Sequence, residues 1–231
     1  MQRPTIVSRD EWTAARKRLL VKEKEFNRQR DALSAERRKL PMEEITKDYV
    51  FQGSEGRRTL ADLFEGKRQL LVYHFMFAPD DDEGCPACSF VADNFAGGLV
   101  HLAARDAAFA VISRAPLDKI KRFKKRMGWT FPWLSSFGAD FNYDFQVTLD
   151  ENHSEYNYAP VSAQPEGRPH EGEREGLSVF LRDGKRVFHT YSTYQRGLDP
   201  FLNTYNFLDV TPLGRQEEKG IMRWLRYHDK Y

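Results

Sequence analysis

Two cysteines stand three apart in the segment Gly84-Cys85-Pro86-Ala87-Cys88, and they are the only cysteines among 231 residues. The preceding segment, residues 70–77 (Leu-Leu-Val-Tyr-His-Phe-Met-Phe), is apolar at nearly every position. Such a run reads as a strand covered on both faces, the pattern of a buried sheet. After the pair, Phe90, Val91, Phe95, Leu99 and Leu102 recur at helical spacing, weakened at Gly97-Gly98. A Cys-x-x-Cys pair between a buried strand and a helix is a redox signature. It points to an α/β fold in which a strand end meets a helix start.

With Cys85 at the helix N-cap, Pro86 falls at the first helical position, where its missing N–H costs nothing. Cys88 then lies one turn inward. The free N–H groups and the dipole of the first turn favour a thiolate at Cys85. Cys85 is therefore the candidate nucleophile and Cys88 the candidate resolving thiol of a mixed-disulfide exchange. The acidic run at residues 80–83 (Asp-Asp-Asp-Glu) lies just upstream. If it faces the sulfurs it opposes the thiolate and makes the pair more reducing. If it is a solvated loop turned away, screening leaves little effect.

The formal net charge is +2, which argues against a dedicated nucleic-acid binder. No apolar run approaches the ~18–20 residues of a membrane span, and residues 1–10 lack the apolar centre of a secretory signal. The expectation is a cytoplasmic protein with neither nucleic acid nor membrane as partner. In that compartment a cysteine pair is catalytic, redox-sensing or metal-binding rather than a structural staple. A zinc site from the two cysteines with His74 or His101 lacks the second ligand pair that structural zinc requires, so no metal or other cofactor is expected. His74 reads as a hydrogen-bonded core histidine, and His153 and His170 do not pair at ligand spacing.

Residues 1–41 form an N-terminal helical arm. Ser8 and Glu11 make a capping box, and a charged helix runs to about Lys39, ahead of Pro41. Trp12, Leu19, Phe26 and Leu33 recur at every seventh position, but Ala15, Lys22, Gln29 and Glu36 leave the stripe thin for a coiled coil. The arm is expected to lie across its own domain or a sister subunit, which leaves room for a homodimer. The core, residues 48–210, opens with a strand at 49–51, a turn at 53–56 and a short helix capped by Thr59. A second buried strand lies at 109–112 and a basic amphipathic helix at 116–127, with Leu117, Ile120 and Phe123 inward. Residues 150–176 are expected to be a loop insertion without periodicity. Asp183-Gly184 between two strand-like runs predicts a hairpin, and residues 199–208 read as a helix. The extension at 211–231 carries Trp224, Leu225 and Tyr227, enough to dock. One domain is expected overall.

The segments 49–51, 59–67 (Thr-Leu-Ala-Asp-Leu-Phe-Glu-Gly-Lys), 70–77 and the Cys-x-x-Cys together resemble the opening half of the thioredoxin-like superfamily, nearest its alkyl hydroperoxide reductase and thiol-specific antioxidant branch. With the charged N-terminal helix, the segment 189–194 (His-Thr-Tyr-Ser-Thr-Tyr) and the segment 208–215 (Leu-Asp-Val-Thr-Pro-Leu-Gly-Arg), the chain is similar over nearly its whole length to a bacterial family of uncharacterised thioredoxin-like proteins described as dithiol–disulfide oxidoreductases or isomerases. The resemblance implies a three-layer α/β fold: a central mixed sheet with helices on both faces, plus a long N-terminal helix and a C-terminal extension. It implies thiol–disulfide exchange through Cys85 and Cys88, with a protein or small-molecule disulfide as substrate and an electron donor that the sequence does not name. Thiol peroxidase chemistry at Cys85 and a non-catalytic redox-sensing or binding module are the alternatives. Three departures stand out. Pro-Ala replaces the Gly-Pro of thioredoxin, with Gly84 where thioredoxin has Trp. Glu175-Gly176 precedes the strand facing the cysteines, where thioredoxin has a cis-proline. Asp82 and Ala78 stand where a peroxiredoxin carries a hydroxyl residue and a proline.

Overall fold

The computed structural model describes residues 4–95, 97–163 and 170–231. In chain order its elements are α1 Arg9–Arg37, β1 Glu43–Glu44, β2 Val50–Gly53, β3 Gly56–Thr59, β4 Gln69–His74, α2 Pro86–Asp93, α3 Leu99–Ala104, β5 Ala107–Ser113, α4 Leu117–Arg126, β6 Trp133–Ser135, α5 Phe141–Asp144, β7 Thr148–Leu149, β8 Glu155–Tyr156, β9 Ala159–Pro160, β10 Gly172–Glu173, β11 Gly176–Asp183, β12 Arg186–Tyr194 and α6 Asn203–Leu208. Eight strands form one mixed sheet in the order β1-β12-β11-β4-β5-β6-β2-β3. β4, β5 and β6 run parallel, while β11 is antiparallel to β4 and β12 to β11. A parallel β-α-β unit joined to an antiparallel hairpin, with β4 in the middle, is the thioredoxin-like topology.

Period-two alternation along β4 sends its side chains into two cores. Tyr73, followed by Phe75 and Phe77, packs with α2, α4 and the rings of Phe123, Trp129 and Trp133. Leu70 and Val72 pack on the opposite face with Phe64, Phe141, Phe145 and Phe180. Helices α2 and α4 cover the first face; α5 and a short 3-10 turn at Asp62–Phe64 cover the second. Apolar side chains on both faces explain why β4 reads as a continuous apolar run rather than an alternating one.

His74 points into the second core and is fully buried. Its Nε2 lies 2.8 Å from Ser178 Oγ, which lies 2.8 Å from Ser192 Oγ, and His189 Nε2 lies 2.7 Å from the same Ser192 Oγ. Burial pushes the His74 pKa down to about 3, so the ring is neutral. The core-histidine reading holds, and it places His74 on the far face of the sheet from the cysteine helix.

The capping box forms as expected: Ser8 Oγ accepts the Glu11 N–H at 3.3 Å, and the Glu11 carboxylate accepts the Ser8 N–H at 3.0 Å. The hairpin at Asp183 and Arg186 closes through Gly184 at φ 60°, a left-handed turn geometry that suits glycine. Three expectations are corrected. Helix α1 buries no residue: its thin seven-residue stripe stays exposed and Arg37 at its end lies 5.7 Å over the Tyr191 ring, so of the two expected coverings its own domain does not supply a packed one. Residues 199–208 are not one helix: a 3-10 stretch at Gln195–Phe201 contains Pro200, Leu202 turns the chain, and α6 follows. The insertion 150–176 carries local structure, with β8 and β9 paired around Asn157 and Tyr158 at positive φ, and β10 paired with β7. Residues 164–169 of that insertion lie outside the described residues.

Candidate active site

The chain leaves β4 at His74, passes through buried Phe75 and Phe77, loops back and starts α2 at Pro86 with Cys85 as N-cap. The backbone of Met76 ties both cysteines to the strand end. Its carbonyl accepts the Cys85 N–H at 3.0 Å, and its N–H donates to Cys88 Sγ at 3.4 Å. Ser89 donates both its N–H and its hydroxyl to the Cys85 carbonyl, each at 2.9 Å. Gly84 is fixed by packing: a Cβ there would lie 2.6 Å from Phe75 Cε1 and 2.8 Å from Phe123 Cε1. That close approach excludes the large residue thioredoxin carries at this place.

The two sulfurs differ sharply. Cys85 is half-buried, whereas Cys88 is 2% exposed. The Cys85 pKa is lowered to about 7, first by the neighbouring Cys88 thiol and then by the N–H groups of Cys88 and Ala87, against burial and the Glu175 carboxylate. Cys85 makes no side-chain capping hydrogen bond, yet the N–H groups of the first turn favour the charged form of its sulfur. Cys88 is pushed well above the usual thiol range by burial, then by Cys85 and Glu175, with the Tyr73 hydroxyl acting the other way. The Tyr73 hydroxyl is buried without a partner at full hydrogen-bond geometry, and Cys88 is its strongest electrostatic neighbour.

The acidic run is the solvated loop. Asp80 to Glu83 are exposed. Asp81 Oδ2 accepts the Ala78 N–H at 2.8 Å, Lys119 Nζ donates to the Pro79 and Asp81 carbonyls, and Glu83 pairs with Arg126. The carboxylate that acts on both sulfurs is Glu175. The register explains it: Gly176 pairs with His74 across β11 and β4, so the residue before Gly176 sits beyond the strand end from which the cysteines emerge. Glu175, Tyr73, Cys88 and Met222 share the lining of a cavity of about 110 Å³. Glu175, Tyr73 and Met222 went unread as site residues in the sequence. The pairing of β11 with β4 was the available signal for the first, and alternation along β4 for the second.

The C-terminal extension closes one side. Tyr227 donates to the Gly84 carbonyl at 2.8 Å, Arg126 bridges Glu83 and Asp229, and Trp224 packs edge-on against Phe90. Among the principal influences on the Cys85 pKa none is a cation; Arg126 is engaged with Glu83 and Asp229, and Arg114 with Glu173. No group of three or more His, Cys, Asp or Glu among the described residues is placed to hold a metal ion. No described helix is long and apolar enough to cross a membrane.

No protein of curated function matches this chain. Solved structures similar to it include peroxidoxin BcpB from Mycobacterium tuberculosis (18% identity, 71% of this chain and 96% of that chain, TM-score 0.46). Peroxiredoxin Q from Xanthomonas campestris matches at 16% identity over 71% of this chain and 95% of that chain, TM-score 0.48. A mutant of PrxQ from Xylella fastidiosa matches at 16% identity over 68% and 87%, TM-score 0.45. At this level of likeness none of their activities transfers to this chain. The family match, by contrast, spans residues 1–231, and the chain belongs to the family described as "Bacterial protein of unknown function (DUF899)".

Proposed function

We propose that this protein is a thiol–disulfide oxidoreductase in which Cys85 attacks and Cys88 resolves. One observation carries the reading: two thiols three residues apart stand in opposite settings, Cys85 half-buried at the N-cap of α2 with its pKa lowered and Cys88 one turn inward, 2% exposed, with its pKa raised. An exchange needs that asymmetry, because only one sulfur should be ionised and reachable at the start.

The Cys85 thiolate attacks one sulfur of a substrate disulfide. A Cys85–substrate disulfide forms, the substrate S–S bond breaks, and the second substrate sulfur leaves as a thiolate that takes a proton from water. Cys88 is held by the Met76 N–H on its sulfur. It gives up its proton and attacks Cys85, the Cys85–Cys88 disulfide forms, and the remaining substrate thiol is released. The substrate gains two electrons and the protein loses two; a dithiol donor returns them. The same steps run backwards if the partner is the stronger reductant.

Replacing the resolving thiol tests this division of labour. Cys88→Ser should accumulate a mixed disulfide at Cys85 with a small aromatic disulfide or a cysteine-containing peptide disulfide, seen as one adduct by mass spectrometry. Cys85→Ser should accumulate none. Equal adducts on both variants would refute the assignment. Stoichiometric conversion of Cys85 to a sulfenic acid by peroxide, with no exchange on disulfides, would favour a peroxidase instead.

A further inference from the structure

We infer that α1 is a self-association element that pairs in parallel with α1 of a second copy of this chain. Four observations converge, none of them tied to the cysteine chemistry. First, α1 is a 29-residue helix with a complete capping box and no buried residue. An isolated helix of charged composition gains most of its stability from packing, and this one buries none of its residues within the chain. Second, the apolar stripe is bare: Trp12 is 60%, Leu19 52%, Phe26 63% and Leu33 47% exposed. Third, the spacing is a strict seven. A seven-residue repeat drifts slowly around a 3.6-residue helix and winds two such helices into a left-handed supercoil.

The fourth observation chooses the occupant. With the stripe at position a of each heptad, Glu11, Arg18 and Glu25 fall at g, and Arg16, Glu23 and Arg30 fall at e. In a parallel pair each g residue meets the e residue five positions on in the other helix. The meetings are Glu11 with Arg16, Arg18 with Glu23, and Glu25 with Arg30, each opposite in charge and each occurring twice by symmetry. Within one chain these side chains already seek partners, as Arg16 does with Glu23 at 2.8 Å and Glu25 with Arg28. Such exposed pairs exchange at little cost. The d positions, Ala15, Lys22, Gln29 and Glu36, contribute little apolar area. The pairing is therefore specified by charge and held by the single stripe, which makes it reversible and salt-sensitive.

Sedimentation equilibrium of the full chain at tens of micromolar should give twice the chain mass, falling toward the monomer as salt is raised. Arg18→Glu, which puts like charges opposite Glu23, should weaken the dimer at least tenfold, and Arg18→Glu with Glu23→Arg should restore it. In a background with Cys85→Ser and Cys88→Ser, Leu19→Cys should cross-link two copies on oxidation, because parallel pairing sets position 19 against itself. Circular dichroism checks that each variant keeps its helix content; α1 buries nothing, so the core should be untouched. A monomer at every concentration overturns the inference. So does a dimer indifferent to Arg18→Glu, or one that fails to cross-link through Leu19→Cys.

Discussion

At the scale of the residue, the account turns on which charges reach the two sulfurs. Thiolate and not thiol is alkylated, so the iodoacetamide rate at Cys85 in the Cys88→Ser variant should rise with pH and level off above its pKa. In the intact pair, with the Cys88 thiol beside Cys85, the midpoint should lie near 7, with the rate falling about tenfold per unit below it. Cys88→Ala, which leaves no donor at that position, should move that midpoint up, since the Cys88 thiol is the largest lowering influence. Glu175 raises the pKa of both sulfurs. Glu175→Gln should therefore lower the Cys85 midpoint and raise the alkylation rate at pH 6 severalfold. An unchanged profile would remove Glu175 from the site. The placing of Cys85 at a helix start with Cys88 one turn inward was legible from Gly-Cys-Pro-Ala-Cys because helix-start geometry is local. Glu175 was legible only as the residue before the strand facing the cysteines; the action of its carboxylate on the sulfurs depends on strand pairing about 90 residues down the chain, whereas Asp80 to Glu83 are near in sequence and exposed.

At the scale of the element, the start of α2 is set by packing as much as by capping. Gly84 lies against the Phe75 and Phe123 rings with no room for a methyl group. Gly84→Ala should cost about 1–3 kcal/mol of stability, the usual penalty for overpacking a close-packed site, and it should also shift the Cys85 alkylation profile because the N-cap moves. Chemical denaturation together with that profile checks both. A stable variant with an unchanged profile would mean the rings yield freely. The strands and hairpins read from the sequence lie close to where expected because alternation and turn residues are local signals, as at Asp183-Gly184. The helix expected at 199–208 breaks at Leu202, whose φ of -98° and ψ of 82° are non-helical, so Asp199 to Phe201 belong to the preceding 3-10 stretch and only Asn203–Leu208 is α-helical. The insertion's paired strands escaped notice because each is two residues long, too short to show a period.

At the scale of the whole molecule, the sheet separates two chemistries. The cysteines lie on one side, and the hydrogen-bonded run from His74 through Ser178 and Ser192 to His189 on the other. His74 stays neutral down to about pH 3 in the fold, while an unfolded histidine protonates near 6.5. Between those values the unfolded state binds more protons, so stability should fall as pH drops from 6.5 toward 3. Replacing His74 with Gln should flatten that part of the denaturation-versus-pH curve, even if it lowers stability at pH 7. An equally steep curve would assign the acid sensitivity elsewhere. The buried strands at 69–74 and 107–113 were legible as apolar runs, and the three-layer arrangement around them was what the family resemblance implied. The bare face of α1 was not legible, since a seven-residue stripe looks the same whether its own core or another chain covers it.

The central claim is that Cys85 and Cys88 form one two-electron couple. The most direct measurement is a glutathione redox titration of the native chain, with both cysteines read by alkylation and mass spectrometry at each potential. The account predicts a single reversible transition in which both thiols disappear together into an intramolecular disulfide, at a midpoint within roughly −180 to −300 mV, the span of thiol–disulfide enzymes. A pair that stays reduced throughout, or a glutathione adduct on Cys85 with Cys88 still free, would contradict it.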